Sequence, residues 1–320
     1  MNGVFPGAAS SVVTMVSAAA WIAFVAVLAG LLFVDLRVVG RGGEIPVRVA
    51  AAWSAAWIVL ALLFALVVRA GLGATYATKY LTGYLFEKGL ALENVYFLAT
   101  IFAAFAVPLG GCGRLLLWTA LGALGLRAVF ITIAAGVFFD RVGALAAASG
   151  LLIVGGVVVM SGRPIVIRHG SNPFERLVRR VLPLSERYDG DAFVVRDPTG
   201  RRRATPLLPA LVAGVTLDLV VSSATPVILV ASKTAFLVFA SEAFAVLGLR
   251  ALFFLLTPYV RELGRVKAAL GALLVVVGVE SMVGQVVKLP AWVALAAIAA
   301  ILALTLIVLA VQIRRGHAPP

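Results

Sequence analysis

Cysteine is all but missing from this chain of 320 residues. Cys112 stands alone, so neither an intrachain disulfide nor a thiolate metal cluster can form. Histidine is nearly as scarce: His169 and His317 fall in polar segments with no partner at metal-ligand spacing. There is no Gly-rich phosphate loop, zinc motif or Ser–His–Asp arrangement, and the 31 Gly are dispersed through apolar runs as close-packing positions. With no nucleophile–base pair in view, an enzyme is not expected, and neither is a bound cofactor. Charge is in short supply too, at 13% of residues. No Lys or Arg precedes the first apolar run, so the N-terminus lacks the charged region of a signal peptide and reads as a retained helix starting outside.

What is present is hydrocarbon. Hydrophobic residues make up 62% of the chain and mean hydropathy is +1.10, which implies a polytopic protein of the bilayer and an all-α transmembrane bundle. Apolar windows of about twenty residues fall at 12–34, 47–68, 81–108, 114–137, 143–161, 207–231, 236–256, 266–287 and 291–312. Nine spans are therefore expected. They form a membrane half at 1–161, a basic segment at 162–206 and a second membrane half at 207–320. The net charge of +13 comes from basic residues in the loops, where they act as topology signals and not as a nucleic-acid surface. With the N-terminus outside, 19 Lys and Arg fall on the inner side and 5 on the outer. That predicts an inner (plasma) membrane protein of a prokaryote with a cytoplasmic C-terminus.

The segment 162–206 holds ten Arg, five acids and five Pro. It reads as a cytoplasmic linker with too little apolar content for its own core, a basic tether near anionic headgroups or a regulatory or partner-binding element. Phe174, Leu177, Val178 and Val181 are spaced for one amphipathic helix on the membrane surface.

Acids inside apolar runs are costly and mark function. The run 81–108 carries Glu87, Lys88, Glu93 and Asn94. Seven residues is about two turns, so Glu87 and Asn94 share a face and Glu93 points elsewhere. In 207–231, Asp218, Ser222 and Thr225 form a polar stripe, and Pro226 frees a backbone carbonyl near Ser222. Arg127 and Arg250 lie mid-span and each needs a carboxylate: Glu93 and Asp218 are the candidates, with Glu242 two turns from Arg250. Either arginine can be a structural ion pair or a contact for an anionic substrate. Glu280 is a further embedded acid, while Met160 and Met282 read as core packing. With Lys88, Arg127 and Arg250 set against Glu87, Glu93, Asp218, Glu242 and Glu280, the embedded groups carry two surplus negative charges, which suits one divalent cation or two protons. LGLRAVF at 124–130 recurs as LGLRALF at 247–253. The copies lie in the fourth and seventh windows, an odd offset of three helices, so they run in opposite directions. The expectation is an inverted repeat of three-helix units, an architecture of secondary transporters.

These residues resemble the TerC family of integral membrane proteins, associated with tellurium resistance and grouped with LysE-type exporters. The similarity runs from VDLRVVGR at 34–41 to the last spans and is strongest in GYLFEKGLALENVYFLATIFAAFAVP and in FAVLGLRALFFLL at 244–256. Some members are implicated in manganese efflux. The resemblance therefore implies an ion site including Glu87, Glu93 and Asn94, with Lys88 and Arg250 on matching positions. VTLDLVVSSATP departs from the family by lacking two carboxylates around Asp218.

The expected function is export of a divalent metal ion by alternating access. Glu93, Asn94 and Asp218 would be ligands, Glu87, Ser222 and Thr225 further site residues, and Lys88, Arg127, Arg250 and Glu242 charge partners. Oxygen ligands favour Mn, Mg or Ca. The alternative is a non-transporting membrane scaffold that recruits proteins through 162–206.

Overall fold

A computed structural model describes residues 17–38, 45–138, 142–161, 173–185, 188–221, 234–284, 286–287 and 290–316. Its elements in order are α1 (Ala18–Val38), α2 (Val47–Leu72), α3 (Ala74–Ala104), α4 (Leu109–Phe138), α5 (Val142–Met160) and α6 (Pro173–Val181). They continue with strands β1 (Val194–Arg196) and β2 (Arg202–Ala204), then α7 (Leu207–Val221), α8 (Ala235–Leu247), α9 (Leu249–Leu256), α10 (Val260–Val283) and α11 (Ala291–Gly316). The described residues are mostly helical. Described helices overlap each of the nine apolar windows, while 12–16 and 222–231 lie outside the described residues. Five stretches among the described residues are long and apolar enough to cross a membrane: Ala18–Asp35, Val47–Leu72, Gly110–Val129, Ala235–Tyr259 and Trp292–Arg314. Shorter apolar helices lie at Ser149–Met160, Leu207–Asp218 and Gly271–Val283.

α3 is the axis of the molecule and packs against α2, α7, α8, α9, α10 and α11. It starts abruptly. Gly73, the single residue between α2 and α3, has φ +99° and ψ 170°, a conformation that only glycine adopts without strain. Beside α3 runs α8, buried at every position from Phe236 to Leu247. A helix apolar all round belongs inside a bundle, away from lipid. Gly248 breaks this rod, and α9 continues after it.

The tightest crossing is α5 on α10. A Cβ on Gly156 would lie 2.5 Å from the Gly271 carbonyl oxygen, and one on Gly271 would lie 2.6 Å from that of Gly156. Small residues allow this backbone approach, and packing contacts of this kind hold membrane helices together where the hydrophobic effect between them is absent. The outward faces are apolar as lipid demands, with Leu66, Val67, Leu151 and Val154 all more than half exposed.

The segment expected to be a linker is built up further than its composition suggests. β1 and β2 pair antiparallel, Val194 with Ala204 and Arg196 with Arg202, and the hairpin is seated on the bundle. Arg114 bridges to Asp191 at 2.9 Å, the rings of Trp118 and Phe193 meet edge-on at 6.5 Å, and the Tyr188 hydroxyl donates to the Phe105 carbonyl. Docking onto α4 and the α3–α4 turn replaces the core the segment lacks.

Candidate functional site

Four buried polar side chains from three helices meet beside α3. Arg127 of α4 donates through Nη1 to Glu87 Oε2 of α3 at 2.5 Å. It also grips Asp218 of α7 with two bonds, Nε to Oδ2 at 3.0 Å and Nη2 to Oδ1 at 3.1 Å. Asn94 Nδ2 donates to the same Oδ1 at 2.9 Å. Relative exposure is 1% for Arg127, 2% for Glu87, 4% for Asp218 and 5% for Asn94, so the charges interact with little screening by water.

Local structure explains the convergence. Glu87 and Asn94 lie two turns apart on α3 and so face the same neighbours. α7 approaches closely because Gly214 has no side chain. A Cβ there would meet Leu98 Cδ2 at 3.1 Å and Thr119 Cγ2 at 3.2 Å. Asp218, one turn on, is thereby brought against α3 and α4. Glu242 of α8, 1% exposed, lies near enough to act on Arg127 electrostatically. Three carboxylates therefore surround one guanidinium, two of them in direct contact. Two acceptors in the cluster, Glu87 Oε1 and Asn94 Oδ1, are buried with no hydrogen-bond partner among the described residues.

The other expected residues are placed differently. Lys88 follows Glu87 in sequence but points away from it. Its Nζ is buried without a hydrogen-bond partner among the described residues and lies against the break in the α8–α9 rod, 2.8 Å from where a Cβ of Gly248 would stand. Arg250 bonds to Asp35 of α1 at 3.3 Å, an acid that stands in the sequence within VDLRVVGR at 34–41. Arg127 takes Asp218 together with Glu87. Glu93 lies on α3, but its side chain is outside what is described, as are Ser222, Thr225 and Pro226. Among the described residues no group of three or more His, Cys, Asp or Glu is arranged to hold a metal.

Two further buried polar side chains were missed. Asp35 was masked by its position at a helix end beside Arg37. Thr119 lies two turns before Arg127 on the same face of α4, its Oγ1 buried with no hydrogen-bond partner among the described residues. That spacing was the available signal.

Residues 72–317 match the family described as integral membrane protein TerC family. The chain belongs to this family. It is 34% identical over 312 residues to an uncharacterized membrane protein of Myxococcus xanthus, STKORF319, covering 93% of each chain. It is 31% identical over 307 residues to Alx of Escherichia coli strain K12, named as a proposed membrane-bound redox modulator, covering 90% of this chain and 93% of that protein. An uncharacterized membrane protein of Rickettsia bellii is 25% identical over 284 residues. No solved structure matches. The chain is thus a bacterial-type multi-pass membrane protein of the TerC family, and α3, which carries Glu87 and Asn94, lies wholly inside the matched region.

Proposed function

We propose that this TerC-family protein is a secondary transporter that exports a divalent metal ion, manganese foremost, with Arg127 as the resident cation that the ion displaces. The observation that carries this reading is the sharing of one buried guanidinium by Glu87 and Asp218. A cluster with more carboxylates than cations needs positive charge, and Arg127 supplies only one unit. A divalent ion entering the cluster competes for the same oxygens. Glu87 Oε1 and Asn94 Oδ1 offer it acceptors that Arg127 does not use, and Thr119 offers a hydroxyl between α4 and α7. The donors are hard oxygens, which favour Mn, Mg or Ca over softer metals.

In this scheme Arg127 holds the site together when no ion is bound and withdraws when one arrives. The two halves, taken as inverted repeats across nine spans, rock about the cluster so that it opens to one side at a time. Glu93, Ser222 and Thr225 complete the ion's shell. The buried Arg250–Asp35 pair ties α1 to α9 outside the site. The relatives named Alx are described by their name as redox modulators; a metal exporter accounts for such a name indirectly, through control of a redox-active ion.

The test is manganese tolerance in a sensitive host lacking its own exporter. Wild-type protein should restore growth, whereas Asp218→Asn and Glu87→Gln, matched for membrane abundance, should not. Equal protection by all three overturns the assignment.

A further inference from the structure

The apolar side of α6 is only half covered. At about 100° per residue, Val178, Val181 and Leu177 follow one another around one side of the helix, and Arg180, Arg176 and Arg179 occupy the other. Val178 is 6% exposed in a helix that packs on α7. Its apolar neighbours Leu177 and Val181 are 52% and 78% exposed. All three arginines are exposed as well. The covered apolar edge therefore continues into an uncovered apolar edge, which passes directly into a cationic one.

The position of α6 says what meets that surface. It packs on α7, which leads from the hairpin into the second membrane half, and the hairpin itself is seated on the end of α3 and the start of α4. The charge asymmetry predicts that this end of the bundle faces the cytoplasm, which would set α6 near the bilayer surface. An apolar edge next to a row of arginines at that depth is complementary to acyl chains under anionic headgroups.

We propose that α6 is an interfacial anchor that binds anionic phospholipids of the inner leaflet, with Leu177 and Val181 entering the acyl boundary and Arg176, Arg179 and Arg180 meeting lipid phosphates. The anchor fixes the hairpin, and through it the α3–α4 turn, to the membrane surface. This is independent of whether the intramembrane cluster carries a metal ion.

The full chain carrying a spin label at Val181→Cys, in a Cys112→Ser background, tests it in nanodiscs. Collision with oxygen, which partitions into lipid, and with a water-soluble nickel chelate reports the depth of the label. In discs of phosphatidylcholine with phosphatidylglycerol the label should be lipid-accessible and shielded from nickel. In phosphatidylcholine alone, or with Arg176, Arg179 and Arg180 all changed to Gln, it should become nickel-accessible. Retention of phosphatidylglycerol by the purified, unlabelled chain should fall on the order of tenfold to hundredfold in the triple variant. A label equally deep in both lipid compositions shows apolar anchoring without lipid selection and overturns the proposal. A label exposed to nickel in both also overturns it and leaves the face to a soluble partner. Leu177→Ser, which keeps every arginine, should reduce the depth of the label but leave the preference for phosphatidylglycerol.

Discussion

Arg127 and Asp218, 91 residues apart in sequence, are joined by a two-pronged ion pair in which Nε and Nη2 each reach a different carboxylate oxygen, at 3.0 and 3.1 Å. Fork-on-fork geometry of this kind is both directional and strong. With Glu87 on the third nitrogen, it makes Arg127 the link between α3, α4 and α7. Removing the guanidinium leaves two buried carboxylates facing each other, which costs about 3–5 kcal/mol. Arg127→Met should therefore unfold at markedly lower temperature in detergent. Neutralising one acid as well, in Arg127→Met with Asp218→Asn, should recover part of the loss. A single variant as stable as wild type contradicts the role given to Arg127.

Lys88 makes the opposite prediction. A buried amine with no hydrogen-bond acceptor costs stability, so Lys88→Met should raise the melting temperature, by about 1–3 kcal/mol of stability. Gly248→Ala should lower it, because the new methyl would stand 2.8 Å from the Lys88 nitrogen. Combining the two should remove most of the Gly248→Ala penalty, a coupling readable from a double-mutant cycle. If the effects of the two changes simply add, Lys88 is not where the structure puts it.

The α5–α10 crossing should tolerate no side chain. Gly156→Ala would place a methyl 2.5 Å from a backbone oxygen, and the helices must part, at a cost of about 1–3 kcal/mol. Gly125→Ala and Gly150→Ala, where a Cβ meets nothing within 4 Å, serve as controls and should be near neutral. Thermal melts of the three proteins decide the matter.

The hairpin of β1 and β2 should respond to acid. Asp197 accepts from the Thr199 hydroxyl at 2.5 Å, from the Arg203 guanidinium and from the backbone N–H groups of Thr199 and Arg201. The Thr199 hydroxyl bond first, then the others, hold its carboxyl down at about 2 against an ordinary 3.8. A carboxylate held down in the fold stabilises it at pH above the ordinary value, and that contribution fades as pH falls toward 2. Fluorescence of the chain, in which Trp118 touches Phe193 of the hairpin, should change between about pH 4 and pH 2. Asp197→Asn should abolish that step. Tyr188, by contrast, is pushed by burial up to about 12, so its hydroxyl still donates to Phe105 across this range.

Much of this arrangement is legible in the sequence and some is not, for physical reasons. Helices stand where the apolar windows put them, because twenty-odd consecutive apolar residues have few other ways to satisfy their backbone. Glu87, Asn94, Arg127 and Asp218 were singled out because polar groups in hydrocarbon are conspicuous, and they do meet. Their pairing was not readable. Which acid takes which arginine depends on helix rotation, and Gly214 sets that rotation through contacts invisible in one dimension. Asp35 was hidden because an acid at a helix end normally reaches water. The hairpin was missed because its strands are three residues long and are held by Arg114 and Trp118 of another element, not by their own propensity. The break at Gly248 falls in a run of good helix formers.

In the proposed transporter, Glu87, Asp218 and Asn94 form a cation site that Arg127 fills in the absence of an ion. The most direct test is manganese flux into proteoliposomes containing the purified chain and an entrapped metal-sensitive dye. Wild type should show saturable flux, and Asp218→Asn and Glu87→Gln should each lose at least nine-tenths of it, on the order of tenfold, with both variants folded by size-exclusion profile. Flux in those variants equal to wild type, or none in wild type under any ion gradient, would contradict this assignment.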